Sequence, residues 1–204
     1  MKSASESTNK PKKLPKVCDY VSPPDVIGTA TAFFSGSIDL DPASSDLANT
    51  IVDAARYFTF LENGLTQEWR AKTVYLYPPR DFLEHSDQPK DTRLFVKKTR
   101  FKKSAQRVWL ELALRKYNKQ EYDEAIIFLT STEVALITTQ KLDIDLPICV
   151  LKERPRLICE ENGLPKLQSV KCHGFILYVP AFYNTEKRMY EFKETFSNLG
   201  RVYM

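Results

Sequence analysis

The sequence lacks the long apolar segments that would place it in a membrane or send it for secretion. No run of about 18 apolar residues is present, so no membrane-spanning helix is predicted. The first residues, MKSASESTNKPKKLPK, contain no apolar core and therefore predict no secretory signal. We expect a cytoplasmic protein that has no membrane partner.

The sequence also lacks the cysteine and histidine spacings of a metal site. None of the four cysteines forms a C-x-x-C pair, and the two histidines, His85 and His173, lie far apart. No structural zinc site or other metal centre is therefore predicted. Reduced and mostly buried thiols are the simpler interpretation of Cys18, Cys149, Cys159 and Cys172.

The composition is that of a soluble globular protein with one main domain. Hydrophobic residues make up 43% and charged residues 27% of the 204 positions. Residues 1–16, rich in Ser, Lys, Asn and Pro, predict a disordered basic tail. The domain is expected to span residues 17–204, with a basic insertion at about 81–103.

Apolar strand patterns alternate with helical patterns along most of the chain. VYLYPP, EAIIFLTST and GFILYVP predict strands that are buried on both faces, and SAQRVWLELALRKYNKQ predicts a helix. ICVLKERPRLICEENGLPK predicts a hairpin with Asn162-Gly163 at its turn. This order favours an α/β fold with a doubly wound, mainly parallel sheet, whose ligands would bind beyond the carboxyl ends of the strands.

Two adjacent prolines follow the strand Val74-Tyr75-Leu76. Proline has no backbone donor, so Pro78 and Pro79 cannot continue a ladder of hydrogen bonds. The chain must leave the sheet here in a fixed, extended shape. The corner Tyr77-Pro78-Pro79-Arg80 is therefore either a plain turn or the rim of an active site.

Several short motifs, in a fixed order, carry a resemblance to a known family. They are D-L-D-P-A-S, a later A-N, Y-F-T, G-L with a following W, and a closing L-G-R-V. Each is weak alone, but in this order they resemble the phage-type DNA adenine-N6 methyltransferases. The resemblance runs from about Asp19 to the C-terminus, while Asp81 to about Lys103 matches poorly and looks like an insertion.

The resemblance implies a doubly wound α/β fold that binds S-adenosylmethionine and methylates adenine in DNA. Tyr20, Ser22 and Pro23 match the segment at the methionine end of the cofactor, and Asp39, Asp41 and Pro42 match the loop after the first strand. Asp41 would suit the ammonium group of the cofactor, which needs an acceptor in a partly dry site. The alternative is that the two aspartates cap the next helix, since Asp-Pro commonly begins one.

The resemblance also implies that the catalytic corner is altered. The family has Asn or Asp, two prolines and an aromatic residue, where the acceptor and a backbone carbonyl engage the adenine amine and the aromatic ring stacks on a flipped base. Here the prolines are retained, but Tyr77 stands in place of the Asn or Asp and Arg80 in place of the aromatic residue. Tyr77 would place its hydroxyl several ångströms too far out, and Arg80 has no acceptor. We therefore expect transfer to be impaired or absent.

The second half of the insertion, RLFVKKTRFKK at residues 93–103, contains basic residues with two interleaved phenylalanines, Phe95 and Phe101, and no acid. Its cations are Arg93, Lys97, Lys98, Arg100, Lys102 and Lys103. Cations interleaved with aromatic residues are typical of nucleic-acid binding. A solvated basic strand with its aromatic rings packed inward is an equal alternative.

Three functions follow from these patterns. The chain is an active adenine methyltransferase with an unusual corner, an inactive protein of methyltransferase fold that binds DNA, cofactor or a protein partner, or a structural module without a ligand. The D-L-D-P-A-S segment argues against the last and the Tyr-Pro-Pro-Arg corner against the first. DNA is the expected partner, and a protein partner is left open.

Overall fold

The computed structural model describes residues 21–80, 82–83, 103–143, 145–161 and 164–204, with side chains left out at 82–83, 103, 160–161 and 164–165. The predicted tail at 1–16 and most of the predicted insertion lie outside these residues. The strands are β1 Ile38–Asp41, β2 Ala54–Tyr57, β3 Ala71–Leu76, β4 Phe82–Leu83, β5 Lys103–Ser104, β6 Tyr122–Leu129, β7 Ile148–Leu151, β8 Arg156–Glu161, β9 Leu164–Ser169, β10 Phe175–Val179 and β11 Gly200–Tyr203. The helices are α1 Pro24–Phe33, α2 Asp46–Val52, α3 Ala105–Asn118, α4 Thr139–Lys141 and α5 Thr185–Phe196, and a π-helical turn, Glu133–Thr138, leads into α4.

Seven strands form one mixed sheet in the order β11-β7-β10-β6-β3-β1-β2. β2, β1, β3 and β6 are parallel neighbours, whereas β10 runs antiparallel between β6 and β7 and β11 is antiparallel to β7. β2, the next strand in the chain after β1, lies on one side of β1 in the sheet, and β3 lies on the other side. The chain thus reverses direction across the sheet between β1 and β3, which is where α/β proteins form a crevice for ligands.

Helices cover both faces of the sheet, which explains why the central strands are apolar throughout. Along β10, Ile176 and Tyr178 face the cluster that contains α1 and α5, while Phe175, Leu177 and Val179 face the cluster that contains α3. β6 alternates in the same way, with Ile126 and Phe128 on the α1 side. A strand that alternates between two buried faces needs an apolar residue at every position.

The structure confirms the α/β class and corrects two details of the prediction. The segment Ile148–Leu151 is β7 of the main sheet, so the predicted hairpin consists only of β8 and β9, in which Glu161 pairs with Leu164. Asn162 and Gly163 lie outside the described residues. The segment TEKRMYEFKETFSNLGRVYM predicts an amphipathic helix that stops at Gly200 and a short strand after it. In the structure the last helix ends at Phe196, and Gly200 itself begins β11, where a Cβ atom would stand 2.0 Å from the carbonyl oxygen of Val150.

Candidate ligand site at the carboxyl ends of β1 and β3

Asp41 is the central residue of the candidate site. It ends β1, is only 3% exposed, and lies beside Tyr57 of β2 in the parallel register. Its Oδ1 accepts a hydrogen bond from Ala43 N at 3.1 Å. Burial raises the pKa of Asp41 to about 6, although the bond from Ala43 opposes the shift. Asp41 makes no salt bridge within the described part of the chain, so its carboxylate is suited to receive a cationic group.

The buried hydroxyl of Tyr75 stands near this carboxylate, and the buried hydroxyl of Ser22 stands near that of Tyr75. Ser22 precedes α1 and Tyr75 lies on β3, and both side-chain oxygens are buried without a hydrogen bond of good geometry among the described residues. Burial raises the pKa of Tyr75 well above its ordinary value; the nearby Ser22 hydroxyl lowers it, and the Asp41 carboxylate raises it further. A buried hydroxyl whose hydrogen bond is poorly formed retains capacity to bind a polar atom of a ligand.

Asp39 and Asp41, which the sequence assigned to one loop, have different hydrogen-bond partners in the structure. Asp39 Oδ2 accepts hydrogen bonds from Lys72 N at 2.8 Å and Thr73 N at 3.2 Å, which tie β1 to the first half of β3. Neither aspartate caps α2, because Ser45 occupies that position and accepts from Ala48 N at 3.1 Å. The capping alternative is therefore wrong for both residues. The Asp39 carboxylate thus binds the backbone of β3, whereas the Asp41 carboxylate binds the loop after β1.

Pro42 of the D-P motif and Gly64 of the G-L motif are far apart in the sequence but in close backbone contact. A Cβ atom on Gly64 would lie 1.9 Å from the Pro42 carbonyl oxygen, so only glycine fits there. The indole Nε1 of Trp69 donates to Gly64 O at 2.9 Å, and Trp69 stacks on Trp109 of α3. The D-P, G-L and W motifs of the sequence thus form one packed support behind the loop after β1.

A cavity of about 390 Å³ opens beside this loop, at the carboxyl end of β2. Its walls include Tyr57, Asp46, Thr59 and Glu62. The Tyr57 hydroxyl donates to Asp46 Oδ1 at 2.9 Å, and Glu62 Oε2 accepts from Thr59 N at 2.8 Å. Sequence reasoning missed these residues because the cavity forms only when β2 and α2 pack together. Its two carboxylates can accept hydrogen bonds from ligand hydroxyls.

The Tyr-Pro-Pro-Arg corner lies at the carboxyl end of β3, as predicted. Tyr77 is only 8% exposed, and its ring contacts Phe128 with 5.1 Å between ring centroids. Strand alternation places it on the same face as Tyr75, within the cluster under α1. Pro78 is buried, and Pro79 and Arg80 are exposed. The Tyr77 ring therefore belongs to the core, and does not project from the rim.

Arg80 lies close to a thiol at the same edge of the sheet. Burial raises the pKa of Cys172, and the positive charges of Arg80 and Arg154 lower it, as does the hydroxyl of Thr130 at the end of β6. Cys149, Cys159 and Cys172 are all free thiols. The corner thus adjoins a second cation, Arg154, from the turn between β7 and β8.

The structure describes only some of the other residues predicted for the site. Ser22 and Pro23 are buried at the start of α1. Tyr20, Arg93, Lys97, Lys98, Arg100 and Lys102 lie outside the described residues, and Lys103 begins β5 without a described side chain. The predicted basic insertion therefore stays a prediction.

No helix in the described ranges is long and apolar enough to cross a membrane. Among the same residues, no three His, Cys, Asp or Glu side chains come together as metal ligands. Comparison of the chain with protein-family models, with curated proteins and with solved structures found no match.

Proposed function

We propose that the protein is a methyltransferase-like protein that binds S-adenosylmethionine and DNA and transfers methyl groups to adenine weakly or not at all. The observation that carries the proposal is Asp41, a buried carboxylate at the reversal point of the sheet, beside a cavity and without a cationic partner among the described residues. A buried charge without a partner is costly, and a bound cation would remove that cost.

The donor and acceptor set at this edge fits S-adenosylmethionine. Asp41 would accept hydrogen bonds from the ammonium group, and the hydroxyls of Ser22 and Tyr75 would bind polar atoms at the same end. The carboxylates of Asp46 and Glu62 in the adjoining cavity would suit the hydroxyls of the nucleoside. When bound, the cofactor supplies a methyl group activated by a sulfonium, and the chain supplies position and polarity.

The Tyr-Pro-Pro-Arg corner is the reason for proposing that methyl transfer to adenine is weak or absent. An acceptor is needed beside the target amine, but the ring of Tyr77 packs on Phe128 in the core. Arg80 stands where the family has a stacking aromatic residue, and it offers no acceptor to the amine. Misplacing a reacting group by about 1 Å costs on the order of a hundredfold in rate.

Calorimetric titration with S-adenosylmethionine tests the proposal. We expect binding to the natural chain and a loss of about tenfold or more in affinity for Asp41→Asn, which removes a charged acceptor. Asp53→Asn is the matched control, because Asp53 is exposed and has a left-handed backbone that asparagine tolerates. Undetectable heat with the natural chain at millimolar ligand would refute cofactor binding.

A radiolabelled methyl-transfer assay on unmethylated DNA decides between the binding protein and an active enzyme. The retained Pro78-Pro79 corner at the end of β3 is the observation that favours activity. We expect almost no transfer by the natural chain and a gain by the Tyr77→Asn, Arg80→Tyr double variant. Efficient transfer by the natural chain would show that Tyr77 and Arg80 form a working site.

The double variant needs a stability control because Tyr77 is part of the core. Replacing a buried aromatic ring by a small side chain costs on the order of 3 kcal/mol. Its thermal midpoint should be measured beside that of Tyr77→Phe, which keeps the ring on Phe128. A variant that is folded at the assay temperature and still shows no transfer would place the defect elsewhere in the chain.

A further inference from the structure

A second concave surface lies apart from the cavity beside the loop after β1. A groove of about 440 Å³ lies between the start of α1, the turn from β7 to β8 and the turn from α5 to β11. Three exposed cations, Lys152, Arg154 and Arg156, line it, together with the acids Asp25 and Glu153. None of the three cations forms a salt bridge with a carboxylate of the described residues. The groove is thus net positive.

The fold holds these cations in a fixed frame. Lys152 N donates to Leu199 O at 3.1 Å, and Pro155 between the two arginines is buried. Arg156 begins β8 and pairs with Ser169 of β9, and the same hairpin is joined to the segment before α1 by the bridge between Val21 and Ile158. A framework that is held in place lowers the entropy cost of ordering the binding surface.

The start of α1 adds to the positive potential of the groove. Pro23 and Pro24 line it, and α1 begins at Pro24 without a side-chain cap. The amino end of a helix carries a partial positive charge. Asp25 opposes it in part, although its Oδ1 is already engaged by Val26 N at 3.1 Å.

The groove reaches the corner of the candidate site. β7 runs in the same direction as β6 and β3, so Arg154 after β7 and Arg80 after β3 lie at the same edge of the sheet. Pro23 lines the groove and directly follows Ser22 of the candidate site. A ligand in the groove would therefore continue toward the end of β3, where a target base would need to be.

We propose that this groove binds the phosphodiester backbone of DNA through Lys152, Arg154 and Arg156. The proposal rests on the proposed function for the choice of DNA as the polyanion. Arginine and lysine are the usual partners of phosphate, and two arginines can each form paired hydrogen bonds to it. The contacts hold the backbone and read no sequence.

The test is fluorescence anisotropy of a labelled duplex with the full chain over a series of salt concentrations. We expect the triple variant Lys152→Ala, Arg154→Ala, Arg156→Ala to bind more than about tenfold more weakly and to lower the slope against log salt by about 2 to 3. Exchanging each cation for the other type, Lys152→Arg, Arg154→Lys and Arg156→Lys, should keep most of the slope.

The matched control removes three exposed cations outside the groove, by Lys72→Ala, Lys119→Ala and Lys141→Ala. Both triple variants lower the net charge by three, and the control should lose much less affinity. Equal losses would overturn the groove as the binding surface, as would an unchanged slope in the groove variant. Displacement of the duplex by polyglutamate of equal charge, or binding of AMP as tightly as DNA, would overturn recognition of a phosphodiester chain.

Failure of this proposal and failure of the proposed function give different results. A chain that binds S-adenosylmethionine and DNA, but loses no affinity for DNA in the groove variant, would overturn the groove alone. A chain that binds DNA through the groove, but shows no heat with S-adenosylmethionine, would retain the groove and refute the cofactor.

Discussion

The carboxyl group of Asp41 couples the stability of the protein to pH. Its pKa rises from 3.8 to about 6 on folding because burial disfavours the charged form. The native chain therefore binds more protons than the unfolded chain between these values, and its stability falls as pH rises through about 6. The difference corresponds to about 3 kcal/mol, present below about pH 4 and lost above about pH 6.

We expect Asp41→Asn to remove this dependence. Urea unfolding of the natural chain and of the variant should be compared from pH 4 to pH 8, with the difference in free energy taken at each pH. Other carboxylates whose pKa is lowered, Glu121 and Glu191, act in the opposite sense but are common to both proteins. The natural chain should lose about 3 kcal/mol relative to the variant as pH rises. A difference that is independent of pH would contradict the burial of this carboxylate.

Helix α5 is joined to the sheet by a buried ion pair. Arg188 Nη2 lies 2.9 Å from Glu124 Oε1 of β6, and Glu124 Oε2 also accepts from the Tyr178 hydroxyl at 2.7 Å. The guanidinium stands 4.0 Å above the ring of Phe33, so the same residue connects α5 to α1. Every charge in this cluster has a partner, which a buried pair requires.

Removing one member of the pair should therefore be costly. We expect Glu124→Ala to lower the free energy of unfolding by about 2 kcal/mol or more, because the guanidinium and the Tyr178 hydroxyl lose their buried acceptor, although Arg188 keeps its pair with Glu191 at 2.6 Å. Lys187→Ala on the same helix removes an exposed pair with Glu191 and should cost less than about 1 kcal/mol. Urea denaturation measures both. Equal effects from the two variants would show that the inner pair contributes no more than a surface pair.

At the scale of the whole molecule, the described residues form two hydrophobic clusters that share one sheet. β3, β6 and β10 contribute alternate residues to the clusters on the two faces of the sheet. Unfolding of these strands therefore disrupts both clusters together. Both tryptophans, Trp69 and Trp109, belong to the cluster on the α3 side. Tryptophan fluorescence therefore reports one face, whereas far-UV circular dichroism reports helices on both.

We expect these two signals to follow the same urea transition, as in a two-state domain. Phe192→Ala, which removes a ring from the α1 side, should shift both curves equally, by an amount equivalent to about 3 kcal/mol. Fluorescence that stays at the position of the natural chain while the circular dichroism curve shifts would show that the two faces unfold separately.

Properties that depend on neighbours along the chain could be predicted from the sequence. The apolar runs of β3, β6 and β10 indicated burial on both faces, and the helical pattern of α3 was confirmed with both ends within a few residues. The Pro-Pro corner was expected at the end of a strand and lies there. These predictions succeed because strand alternation, helix periodicity and the missing proline donor are local.

Properties that depend on packing between distant segments were decided only by the tertiary structure. Local pattern does not show that β10 lies antiparallel between β6 and β7, that Ser45 and not an aspartate caps α2, or that Gly64 packs on Pro42. Asp39 and Asp41 look alike in sequence, yet one bridges two strands and the other is buried without a described cationic partner. The difference arises because burial and hydrogen-bond partners are set by residues far away in the chain, which the sheet brings together.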